Sequence, residues 1–136
     1  MSALTRSDMA ILEAEMEKYP STLETLRVRE FQAPGLYIRE LFVPAGTIAT
    51  GKIHKVGHVN IISKGLVTVL GEGKRIKAPY TFVSPPGTKK AIFAHTDTLW
   101  TTVHATEETD LAKIEEALIA PTWADFELLE AQRRLT

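Results

Sequence analysis

Cysteine is absent from the 136 residues, and its absence removes three kinds of chemistry at once: disulfide cross-links, thiolate metal sites and cysteine nucleophiles. It fits a reducing compartment, and the chain is read as cytoplasmic. An excess of charge of either sign is missing too. Sixteen Lys and Arg stand against seventeen Asp and Glu, so there is no electrostatic reason to expect nucleic acid or an anionic membrane as a partner. Long apolar runs are lacking as well: acids interrupt the first twenty residues where a signal peptide would be apolar, and no later segment approaches a membrane span. No Gly-rich phosphate loop, nucleophile elbow or HExxH is present, and the acids gather in helical stretches rather than as a facing pair on strands. GEGK at 71–74 is too short for a phosphate loop.

What is present is an average globular composition, 44% hydrophobic and 24% charged, which suits one domain with its own core and argues against disorder or a fibre. A single domain over residues 1–136 is expected. Residues 1–21 read as an amphipathic helix, with Met9, Leu12, Met16 and Tyr19 at helical spacing, a capping box from Thr5 to Asp8, and Pro20 as its end. From about residue 22 to 105 the texture changes to short β-branched runs punctuated by Gly and Pro, the pattern of a sandwich or barrel, with the barrel itself placed at about 35–105. GEGK at 71–74 reads as a hairpin turn. Residues 107–135 return to helix. TEETDLAKIEEALIA carries Leu111, Ile114, Leu118 and Ile119 on one side; after Pro121, Thr122 and Asp125 cap WADFELLEAQRRL. No repeat or linker separates these parts, so the helices are expected to buttress the strands or a partner copy.

Within the strand region, GTIATGKIHKVGHVNIISKG resembles the first cupin motif: a glycine, five residues, His-x-His, three or four residues, Glu, six residues and a closing glycine. On that frame Gly46 and Gly65 match the glycines and His54 the second histidine, while Lys52 stands in place of the first histidine and His58 in place of Glu. The second motif falls on PYTFVSPPGTKKAIFA, where Pro85 and Gly87 match and Pro79, Lys90 and Ala94 replace its glycine, histidine and asparagine. More loosely the whole chain is similar to short single-domain cupins of tailed phages and bacteria.

The resemblance implies a mainly β chain: a cupin-type jelly-roll barrel with an N-terminal helix and two short C-terminal helices, pairing as a homodimer. It also implies a pocket around His54 and His58. A cupin holds a divalent metal through three His and one Glu; here Lys52 and Lys90 have no lone pair to offer when protonated. The altered metal set is therefore His54 and His58, with His104 of WTTVHA third, because the final strand of a jelly roll pairs with the strand that would carry His54. One Fe, Zn, Ni or Mn ion is the expected cofactor. His95, beside Thr96 and Asp97 in a turn, reads as solvated surface. Lys52, His58 and Lys90 are candidate contacts for an anionic small molecule, and alternation puts Lys52 on the face of His54. Trp100 is a further ligand contact, unless it is core. Two readings follow. One is a small-molecule-binding cupin, metal-dependent, of dioxygenase, isomerase, lyase or hydrolase type if an enzyme, with no catalytic residue assigned. The other is a non-enzymatic structural or interaction module, such as a virion or host-modulating protein, that uses the barrel as a scaffold.

Overall fold

The computed structural model describes residues 5–16 and 26–135. Tyr19 and Pro20, on which part of the N-terminal helix expectation rests, lie outside the described residues. Helix α1 spans Arg6–Met16. It opens on the expected capping box, in which Thr5 N donates to Asp8 Oδ2 and Asp8 N to Thr5 Oγ1, each at 3.0 Å. Met9 is buried.

Eleven strands follow: β1 (Arg27–Ala33), β2 (Leu36–Val43), β3 (Ile48–Thr50), β4 (Ile53–His54), β5 (His58–Lys64), β6 (Leu66–Val69), β7 (Lys74–Lys77), β8 (Tyr80–Ser84), β9 (Ala91–Ala94), β10 (Thr98–Ala105) and β11 (Ile119–Ala120). Helix α2 (Leu111–Leu118) stands between β10 and β11, and α3 (Trp123–Leu135) closes the chain. A five-stranded sheet in the order β1-β2-β10-β5-β8 faces a four-stranded sheet, β3-β9-β6-β7, and β11 pairs with β4 as a separate ribbon. Every pairing is antiparallel. Val43, Ile62 and Trp100 from the first sheet and Val67, Ile76 and Ile92 from the second form one buried cluster between them. The jelly roll is thus a sandwich: among the described residues no ladder joins the two larger sheets into a closed barrel. No helix of the described residues is long and apolar enough to cross a membrane.

Local signals behave as their chemistry dictates. GEGK lies in the turn of the β6–β7 hairpin, where Val69 pairs with Lys74 and Gly71 and Gly73 take positive φ. Asp125 N donates to Thr122 Oγ1 at 3.2 Å at the start of α3. The expected helix before it is shorter than its apolar spacing suggests. Asp110 caps α2 by accepting from Lys113 N at 3.1 Å, and the helix ends at Leu118, so Ile119 belongs to β11 and Leu111 is exposed. A strand also precedes the span expected for the barrel: β1, RVREFQA, is exposed at every position and forms the edge of the larger sheet.

Candidate metal centre

Period-two alternation and ladder register build the site. On β10, Trp100, Thr102 and His104 share the inward face; on β5, His58, Asn60 and Ile62; on β2, Tyr37, Arg39 and Leu41. The register lines these up as rows. Thr102 lies opposite both Arg39 and Asn60, Trp100 opposite both Leu41 and Ile62, and His104 opposite Tyr37. His58, at the first position of β5, borders His104 at the end of β10. One end of the sheet therefore carries imidazoles, the middle row polar and cationic groups, and the next row apolar side chains.

His54 arrives from elsewhere. β10 pairs with β2 and β5, not with the strand that carries His54, which corrects the pairing expected from the sequence. His54 on β4 lies opposite Ile119 of β11. The turn of the second motif holds β4 in place: His54 N donates to Thr88 O at 3.1 Å, and Gly87 N donates to His54 O at 2.8 Å. Gly87 has φ +86°, and a Cβ there would meet the Phe126 ring of α3 at 2.8 Å, so this turn suits glycine alone.

The three rings cluster, His104 stacked on both others and His54 tilted against His58. Centroids are 4.0 Å apart for His54 and His58, 4.8 Å for His58 and His104, and 5.2 Å for His54 and His104. One nitrogen from each lies within 4.8 Å of the others. His104 Nε2 and His54 Nδ1 are 3.2 Å apart, one carrying the proton and the other accepting it. Burial, with the neighbouring histidines behind it, pushes His54 down to about 3; burial likewise pushes His104 down to about 4 and lowers His58. All three are neutral at neutral pH, the form that offers a lone pair to a cation.

The donor set fits a metal. Three neutral imidazoles suit Zn, Fe, Ni or Cu and leave further positions open. Two nitrogens bound at about 2.0–2.1 Å to one ion stand roughly 3 Å apart, close to the 3.2 Å between His54 and His104. The other nitrogen of the His104 ring, Nδ1, is buried without a hydrogen-bond partner among the described residues; it points away from the His54–His104 contact and is not the atom that would face an ion there. No carboxylate joins the cluster among the described residues.

The other expected residues divide. Lys52 lines the mouth of the cavity, but its half-exposed ammonium bonds Glu115 of α2 at 2.5 Å rather than turning inward with His54. Lys90 also lines it and pairs with Glu72 at 3.6 Å. Trp100 is both core and wall: its Nε1 donates to Asn60 Oδ1 at 3.0 Å, and Asn60 Nδ2 donates to Ser84 Oγ at 2.9 Å. His95 stands apart, with Nε2 2.6 Å from Thr68 Oγ1. Tyr37, Arg39 and Asn60 also line the cavity, and neither motif marks them. The signal was the alternation of LYIRELFV, which sets an arginine on the same face as Tyr37 and Leu41.

The cavity these groups enclose measures about 250 Å³. Ile114 and Leu118 of α2 cover it, packed on Tyr37, and Lys55 N donates to Leu118 O at 2.7 Å.

No family model matches the sequence, and no curated protein is significantly similar to it. Among solved structures, the acetylacetone dioxygenase of Acinetobacter johnsonii is similar over 59% of this chain and 59% of its own, at 17% identity and a TM-score of 0.50. KdgF from Halomonas sp. is similar over 65% of this chain and 84% of its own, at 17% identity and a TM-score of 0.53. A variant of the salicylate 1,2-dioxygenase of Pseudoaminobacter salicylatoxidans is similar over 79% of this chain and 33% of its own, at 18% identity and a TM-score of 0.53. The match spans about three-fifths of the acetylacetone dioxygenase's length (59%). At such identities the likeness shows the fold alone, the cupin-type jelly roll.

Proposed function

We propose that the chain uses its cupin fold to bind a small molecule beside one divalent metal ion held by His54, His58 and His104, with Lys52 and Lys90 at the mouth drawing an anionic ligand inward. The observation that carries this reading is the gathering of three neutral, cavity-lining imidazoles from three strands, with one nitrogen of each within 4.8 Å of the others. Bound there, a divalent ion would act as a Lewis acid toward a carbonyl, or activate water or oxygen. The chain's own residues orient the ligand: His58 and His104 fix one end of the cavity, and Trp100 forms an apolar wall.

Elemental analysis of protein purified without chelator or metal-affinity resin tests the reading. Near-stoichiometric Fe, Zn, Ni or Mn is expected in the wild type, with loss of at least nine-tenths of it in His54→Ala. Metal-free wild type that cannot be loaded would overturn it. A scaffold role is the second reading, favoured by one observation: Lys52 and Lys90, at two positions where the motifs usually carry metal ligands, are both tied to acids, Glu115 and Glu72.

A further inference from the structure

Five charged side chains line the cavity among the described residues: Glu30, Arg39, Lys52, Lys90 and Glu115. Four are engaged. Lys52 bonds Glu115 at 2.5 Å, Lys90 reaches Glu72 at 3.6 Å, and the Glu30 carboxylate acts on the Tyr37 hydroxyl. Among the described residues Arg39 has neither a hydrogen bond nor an ion pair within 4.0 Å, although Glu30 lies opposite it in the β1–β2 register. Arg39 is a half-buried residue on the inward face of β2 and lines the cavity. There it sits in the row between the imidazoles and the apolar wall: Tyr37, two residues before it, is opposite His104, and Leu41, two residues after it, is opposite Trp100.

A guanidinium brought out of bulk water without a partner is where an entering anion gains most, because desolvation already imposed on the cation strengthens each new hydrogen bond. Its planar fork matches a carboxylate with two parallel bonds, which an ammonium cannot do. Beyond it the wall is apolar, and the cavity of about 250 Å³ falls below the roughly 300–1,000 Å³ of sites for drug-sized ligands. We propose that Arg39 anchors the carboxylate of a small organic acid whose apolar body lies against Leu41 and Trp100. This names the ligand class of the reading above and rests on its anionic ligand, but not on its metal. A phosphate could engage the same fork, but the apolar row beside it favours a carboxylate that carries carbon.

Calorimetric titration of the full chain with benzoate, with its neutral counterpart benzamide, and with inorganic phosphate tests the proposal, on chelator-treated and on metal-loaded protein. Benzoate is expected to bind the wild type at least roughly ten-fold more tightly than benzamide or phosphate, and Arg39→Gln to weaken it by roughly ten-fold or more. Arg29→Gln removes the same charge from the outer face, where Arg29 is exposed and pairs with Glu40 at 3.5 Å; it should change benzoate affinity less than about two-fold. Metal content should be unaltered in Arg39→Gln. Benzoate binding that depends on Arg39 in a chain that takes up no metal upholds the anchor and removes the metal reading. No benzoate binding in either state, equal binding by wild type and Arg39→Gln, or tighter binding of phosphate would overturn the anchor. Should Arg39→Gln fail to fold, Arg39→Lys keeps the charge and loses the fork; undiminished benzoate affinity there would equally overturn it.

Discussion

Burial keeps His54, His58 and His104 uncharged at neutral pH, and this governs how the fold responds to acid. Their folded-state values lie below the ordinary 6.5, at about 3 for His54 and about 4 for His104. As pH falls below about 6.5 the unfolded chain takes up protons that the folded chain refuses, so stability declines, each histidine contributing up to about 1.4 kcal/mol per pH unit. With chelator present, urea unfolding is expected to show a loss of roughly 4 kcal/mol between pH 7 and pH 5, about 2 from each of His54 and His104. The loss should be shallower in His104→Asn; an identical slope would remove His104 from the account. Asn60 is the second pivotal side chain, since it links Trp100 Nε1 and Ser84 Oγ in the buried floor of the cavity. Asn60→Leu leaves both without that partner and should cost about 2–4 kcal/mol by denaturant titration. Adding Trp100→Phe should return part of it, because the second buried donor is then gone.

Elements matter here through the faces they present and the turns that join them. β2, β10 and β5 put their inward residues in register, so imidazoles, polar groups and apolar groups succeed one another down one wall. α2, capped by Asp110, sets Ile114 and Leu118 over that wall and carries Glu115 to Lys52. The β5–β6 junction depends on Gly65. Its φ is +111°, and a Cβ would stand 2.3 Å from Thr98 Oγ1 and 2.8 Å from Asp97 O. Because backbone as well as a side chain is in the way, Gly65→Ala is expected to lose about 2–4 kcal/mol, read by thermal or urea unfolding. A loss under about 0.5 kcal/mol would show that the junction can open without strain.

At the scale of the whole molecule, the site joins parts that are far apart in the chain, so filling it should steady the fold. If the ion binds the folded chain alone, metal-loaded protein should melt several degrees higher than chelator-treated protein, and His54→Ala should show no such difference. Much of this arrangement was legible beforehand. The order of helix, strands and helices, the Gly71–Gly73 turn, the caps at Thr5 and Thr122, and the motif frame around His54 and His58 all rest on local spacing or on residues that satisfy a local backbone need. Other features had no such signal. β1 is charged and exposed along its length, so nothing in its pattern marks burial; the β4–β11 ribbon joins His54 to Ile119 through two residues on each side; and Glu115 and Glu72, the partners of the two lysines, lie on other elements. The sequence by itself determined a strand-rich fold of cupin type and three histidines able to serve it, because alternation and turn chemistry act over a few residues. Only the tertiary structure decided that those histidines meet, that Lys52 and Lys90 are already paired and that Arg39 is not. Which groups become neighbours depends on register between distant strands, and a side chain's period along its own strand does not encode that.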